Sequence, residues 1–190
     1  ETTHAFSRKV LDRAMTIEFD EIDLEKAMSG TVEESSPLGP DSVICPFTDA
    51  TEIGVNESVR SGVLDLLNAW NVAMADTPFR VAYRTANEGL ILAHFKGEEK
   101  LAESLDDLLM MKLLPRLEGD VEKLGCDDER KSSASEDQIF PSGARNTLLE
   151  SVWTLAKSCL GDHWESSKSK RKLHYMAKRL SRSGYTSFWP

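Results

Sequence analysis

Apolar residues in the stretch NESVRSGVLDLLNAWNVAMADT recur at Val59, Val63, Leu66, Leu67, Trp70 and Met74. That spacing lines one face of a helix, and Asn56 or Ser58 ahead of it supplies a side-chain cap for the first free amides. The period continues through RVAYRTANEGLILAHF, entered near Phe79, and through LAESLDDLLMMKLLPRL, where Leu101, Leu105, Leu108, Leu109 and Leu113 form a dense apolar face. It returns in ARNTLLESVWTLAKSCLGDHW and in SSKSKRKLHYMAKRLSRSG, whose Leu173, Met176 and Leu180 make a stripe and whose Gly184 suits a helix C-cap. Helices with one apolar face each predict an all-α bundle over residues 58–190. The apolar ending YTSFWP is expected to dock onto it.

Ahead of the bundle the pattern changes. Residues from about Phe6 to Met15 read as a short helix, with Phe6, Val10, Leu11 and Ala14 on one side and Arg8, Lys9 and Arg13 elsewhere. The run MTIEFDEIDL then alternates Ile17, Phe19, Ile22 and Leu24 with polar residues, as a strand with one wet face or an edge strand does. Ser, Pro, Gly and Thr dominate residues 28–57, which read as a linker and a domain boundary. The polar stretch DVEKLGCDDERKSSASEDQ reads as a mobile acidic loop over about residues 120–138. The predicted fold is therefore mainly α: a helix–strand fragment over residues 1–27, a linker, then a helical bundle. A short helix running straight into a strand is expected of a chain that starts in the middle of a unit.

Composition changes this picture little. With 190 residues, 40% hydrophobic and 29% charged, the chain is able to bury a core. No run of apolar residues approaches the length of a membrane-spanning helix, so no membrane partner is predicted. Cys45, Cys126 and Cys159 are far apart and match neither disulfide nor zinc spacing, which predicts reduced thiols in a cytoplasmic protein and no metal site. The net charge of −9 argues against a chain-wide nucleic-acid surface. Its distribution is uneven, because from His163 onward seven Lys and Arg face one acidic residue.

No Gly-x-x-x-x-Gly-Lys-Ser/Thr occurs, nor any nucleophile elbow or His-Glu-x-x-His, and the four histidines lie far apart. The run TIEFDE resembles a Walker B strand superficially, but Thr16 and Glu18 argue against a fully buried strand. Taken alone, the chain holds no complete catalytic constellation. It does hold arginines at element ends. Arg13 closes the first helix, where a planar cation suits bidentate contact with phosphate oxygens or, more blandly, pairs with Asp12 or Asp20. Arg84 sits early in its helix, with Glu88 four residues on as a surface partner.

Several segments together resemble one family. ETTHAFSRKVLDRAMTIEF is similar to the segment after sensor 1 in AAA+ NTPases of the McrB-like group, the motor subunits of modification-dependent (type IV) restriction systems. FRVAYRTANEGLILAHF resembles the lid helix carrying the sensor 2 position, SLDDLLMMKLLPRLEGD the recurrent K-x-LP-R/K-x-G helix end, and GYTSFWP a recurrent ending. The resemblance implies an arginine finger at Arg13, with Arg8 on the same helix as the competing candidate, and a nucleotide-sensing role for Arg84. It implies GTP or ATP with magnesium in the full-length protein, neighbouring subunits in a ring, a nuclease partner and DNA. The Walker A lysine, Walker B acids and sensor 1 Asn are expected upstream of Glu1, and this chain is expected not to bind or hydrolyse nucleotide efficiently by itself.

A second reading takes the chain as a stand-alone helical nucleic-acid-binding or protein-interaction module. Lys168, Arg171, Lys172 and Arg179 would hold phosphates around the Leu173, Met176 and Leu180 stripe, unless that helix is simply the solvated face of the bundle. Trp70 and Trp153 are expected in the core and Trp189 as an anchor for the tail.

Overall fold

The structure, a computed structural model, describes residues 7–18, 39, 49–124 and 147–189. Among these the fold is mainly helical, in agreement with the periodicity. A short helix α1 (Arg8–Leu11) precedes α2 (Glu57–Ala73), α3 (Tyr83–Lys96) and α4 (Leu101–Leu108). After β1 (Glu118–Asp120) and α5 (Val121–Leu124) come α6 (Leu148–Leu160), α7 (Lys168–Ser183) and β2 (Tyr185–Ser187). Helix α2 packs against α3 and α6, α4 against α3, α6 and α7, and α7 against β2.

The core is the set of stripes read from the sequence. Val59, Val63, Leu66, Leu67, Trp70 and Met74 are all buried, and so are Leu105, Leu108, Leu109, Leu113, Leu173, Met176 and Leu180. Trp70 is wholly enclosed and its indole Nε1 donates to the carbonyl of Phe79 at 3.0 Å. Asn71, the next residue, clamps the same connection from its outer side, donating to the Val81 carbonyl at 3.0 Å and accepting the Val81 amide at 2.8 Å. These bonds hold the return from α2 to α3, so that α3 begins at Tyr83 rather than near Phe79. Gly89 lets α3 approach closely, since a Cβ there would lie 2.8 Å from Leu108 Cδ2 and 3.2 Å from Val63 Cγ1.

Caps follow the expected chemistry. Asn56 Oδ1 accepts the Ser58 amide at 2.8 Å, and Thr147 Oγ1 accepts that of Glu150 at 3.1 Å. Gly184 closes α7 in the left-handed region, at φ 71°. The buried carboxylate of Asp106 takes the amides of Lys168 and Ser169 at 2.8 and 3.0 Å, a cap for α7 supplied by α4.

The tail docks, but as a strand. β2 pairs antiparallel with β1, Gly119 opposite Thr186, and Phe188 is buried beside the half-buried Trp189. Trp164 is buried with its ring edge-on to the half-buried Trp153. Ala50 and Val55, at the end of the expected linker, are buried against the bundle, and the Ala50 amide donates to Asn87 Oδ1 at 2.7 Å. Residues 28–38 and 40–48 of that linker lie outside the described residues. The stretch expected as an acidic loop starts later than 120, because Asp120 closes β1 and Val121–Leu124 form α5 with Leu124 buried. Residues 125–138 lie outside the described residues.

Candidate functional site

The helix expected to run from Leu101 to Pro115 changes its hydrogen bonding partway. α4 gives way to one π turn over Leu109–Leu113 and then a 3-10 turn over Leu114–Arg116. Pro115 has no amide hydrogen, so the carbonyl of Met111 one turn earlier has no helical donor. That carbonyl instead accepts the amide of Thr16 from the N-terminal segment at 3.0 Å. The next carbonyl, that of Lys112, accepts from Arg116 Nε at 2.9 Å. The irregular end of α4 is thus a platform with a carbonyl free to bind other backbone.

Two cations of that platform hold the segment. The Lys112 side chain is completely enclosed. Its ammonium donates to the carbonyls of Asp12 at 3.2 Å and Ala14 at 2.9 Å and pairs with Glu88 Oε2 at 2.5 Å. Two carbonyls accept from this ammonium and a carboxylate lies beside it as counter-charge, which is how a buried charge is tolerated. Arg116 Nη2 donates to Asp12 Oδ1 at 3.0 Å and to Thr85 Oγ1 at 3.4 Å. A third cation, Lys172 of α7, pairs with Glu18 and lies over the Phe188 ring at 4.1 Å. It joins the N-terminal segment to the docked tail.

The expected first helix is corrected by this arrangement. α1 ends at Leu11, its buried residue, while Val10 is 46% exposed and Ala14 is also outside the core. Capture of the Asp12 and Ala14 carbonyls by Lys112 diverts the backbone, so the helical period stops applying there. Residues 14–18 form neither helix nor strand, and the rest of the expected strand lies outside the described residues.

Arg13 falls in the turn after α1 and is exposed. Arg84 is exposed at the start of α3, and Glu88, its expected partner, turns inward to Lys112. The hydrogen bond from Arg116 holds the Asp12 carboxyl below its ordinary pKa, with help from the charges of Arg116, Arg84 and Lys112 and against partial burial. The charge of Arg84 is thus felt at Asp12, the residue before Arg13 in the sequence. Arg8 starts α1; its side chain is outside the described residues. Sequence reasoning passed over Asp12, Glu88, Lys112 and Arg116 as site residues. The signal that points to them is a Lys and an Arg four apart in an otherwise apolar run, MMKLLPRL.

The depressed pKa has a definite pH consequence. A carboxyl whose folded pKa is lowered adds stability that is complete above its unfolded pKa and is lost as pH falls through the folded value. The Asp12–Arg116 tie is therefore expected to hold at neutral pH and to fade only below about pH 4. Carbon-13 titration of the Asp12 carboxyl should give a midpoint below 3.8; a midpoint above that would remove the tie.

The four basic residues proposed for nucleic acid do not act alike. Lys168 and Arg171 are exposed, Lys172 is buried, and Arg179 Nη1 donates to the Trp189 carbonyl at 2.6 Å. Among the described residues no three or more His, Cys, Asp or Glu converge as metal ligands. Cys159 is a free thiol whose pKa is pushed up by burial and by Asp65. No described helix is long and apolar enough to cross a membrane.

A family model described as "Domain of unknown function (DUF8727)" matches residues 43–185. The chain belongs to this family. No curated protein and no solved structure matches it. The DUF8727 region takes in α2 to α7 and the platform of Lys112 and Arg116, while the docked segment of residues 7–18 lies before it.

Proposed function

We propose that the chain is the arginine-finger and helical-lid portion of a McrB-like AAA+ NTPase that acts in DNA restriction or translocation. The observation that carries this reading is exposed Arg13 on a turn whose carbonyls on either side the bundle holds through Lys112, with exposed Arg84 at the start of α3. Transfer of a phosphoryl group needs positioning and neutralisation of charge on the phosphate oxygens, and arginines supply both. Arg13, projecting from a pinned turn, suits the phosphates bound by a neighbouring subunit, and Arg84 suits those bound beside the lid. Bound GTP or ATP with magnesium supplies the transferable phosphate and the metal that neutralises it. The described residues fit the arginine side of such a site and not its metal side, since no acidic cluster converges in them. Other polypeptide supplies the Walker lysine and acids, for which this sequence has no motif. A ring of neighbouring subunits, a nuclease and DNA are the partners of this reading.

The reading of α7 as a phosphate-binding helix has weaker support, because Lys172 and Arg179 are committed to Glu18 and the tail. Hydrolysis of GTP and ATP by the native polypeptide containing this sequence tests the proposal, measured across protein concentration. Specific activity is expected to rise as subunits assemble. Absence of nucleotide binding and of hydrolysis would end the motor reading.

A further inference from the structure

We propose that Lys112 is the positioning residue for Arg13, an inference that rests on the role given to Arg13 above. The two carbonyls that its ammonium holds belong to Asp12 and Ala14, the residues on either side of Arg13. From the other side, the amides of Arg13 and Ala14 both donate to the Val10 carbonyl at 2.9 Å. The peptide units flanking Arg13 are therefore gripped by groups of different origin, one in α1 and one in the bundle. Only the side chain of Arg13 is left to move. A guanidinium that must meet phosphate oxygens on another subunit loses most from backbone freedom at its own Cα, and that is the freedom Lys112 removes.

The choice of lysine follows from the geometry. Two carbonyl acceptors and an adjacent carboxylate around a point suit divergent donors and a compact charge, which an ammonium has and a planar guanidinium does not. The carboxylate is that of Glu88, one helical turn beyond Arg84 on α3. Lys112 and Arg116 both contact the turn bearing Arg13 and the helix bearing Arg84, but Arg116 meets the side chains of Asp12 and Thr85, whereas Lys112 holds the backbone of the turn itself. The Met111 carbonyl beside it adds a backbone tie to Thr16 at 3.0 Å.

Amide hydrogen exchange on the full chain tests this without nucleotide, comparing wild type with Lys112→Met. That substitution keeps the length and removes the charge and the donors. Exchange at Arg13, Ala14 and Thr16 is expected to accelerate at least tenfold, while amides of Leu66 and Leu67 in α2 change less than twofold. Unchanged exchange at the three N-terminal amides would overturn the proposal. Equal acceleration in both regions would also overturn it, since Lys112 would then be an ordinary contributor to the core. Should the Met variant fail to fold, Lys112→Gln is judged by the same two comparisons. The functional reading fails separately, through hydrolysis that does not depend on Arg13, and the exchange result stands apart from it.

Discussion

Replacing Arg13 by alanine is expected to lower nucleotide hydrolysis by the native polypeptide about 10³-fold or more, the scale on which an arginine supplied in trans acts. That corresponds to about 4 kcal/mol of transition-state stabilisation. Nucleotide affinity should change little, because a finger from another subunit is not part of the pocket that holds the base and sugar. The fold should be unaffected, since Arg13 is exposed and its backbone contacts do not involve the side chain. Arg13→Lys is expected not to restore the rate, as a single point charge lacks the planar fork. Single-turnover kinetics with saturating nucleotide separate these effects. A rate within tenfold of wild type would remove Arg13 from this role and leave Arg8, at the start of the same helix, to be tried.

Stability should depend most on Trp70. The side chain is completely buried in the last turn of α2, and its Nε1 donates to the Phe79 carbonyl at 3.0 Å. Truncation to alanine opens a large cavity, worth about 3–5 kcal/mol. It also orphans the Phe79 carbonyl, which adds about 1–3 kcal/mol. Against a total of about 5–15 kcal/mol for a typical domain, the variant should be close to unfolded at room temperature. Trp70→Phe divides the two terms, keeping most of the ring while losing the donor, and should be much the milder. Urea unfolding followed by circular dichroism measures both. A cost for Trp70→Ala below about 1.5 kcal/mol, the range of volume-conserving swaps, would mean that the site collapses around the loss.

The bundle was legible because burial in a helix leaves a period in the sequence. Val59, Val63, Leu66 and Leu67 are read from spacing alone, and each is in the core. Nothing periodic marks β1 and β2, each of three residues; β1 reads Glu-Gly-Asp, a run with low strand preference, and its partner lies far along the chain. The platform was hidden for a different reason. A lysine between leucines looks like an interruption of an apolar face, and what makes it a site is a pair of carbonyls 100 and 98 residues away. Glu88 illustrates the same limit. Its distance from Arg84 along the helix suggests a surface pair, but a fully buried ammonium in the π turn after α4 attracts it more strongly than a solvated guanidinium on its own helix. Arg13 and Arg84 were singled out by residue type, position and the resemblance, and the structure shows both exposed.

The pairing of β1 with β2 also sets an order of events during synthesis. Glu118 faces Ser187, so the residue that completes the pair leaves the ribosome long after the one that waits for it. Lys172 stacks on Phe188 and Arg179 binds the Trp189 carbonyl, which makes these contacts of α7 wait as well. A nascent chain can assemble α2, α3 and α4 locally, but β1 gains its partner only once β2 has emerged. Translation speed and chaperone occupancy while α7 and β2 emerge therefore bear on whether β1 finds its partner.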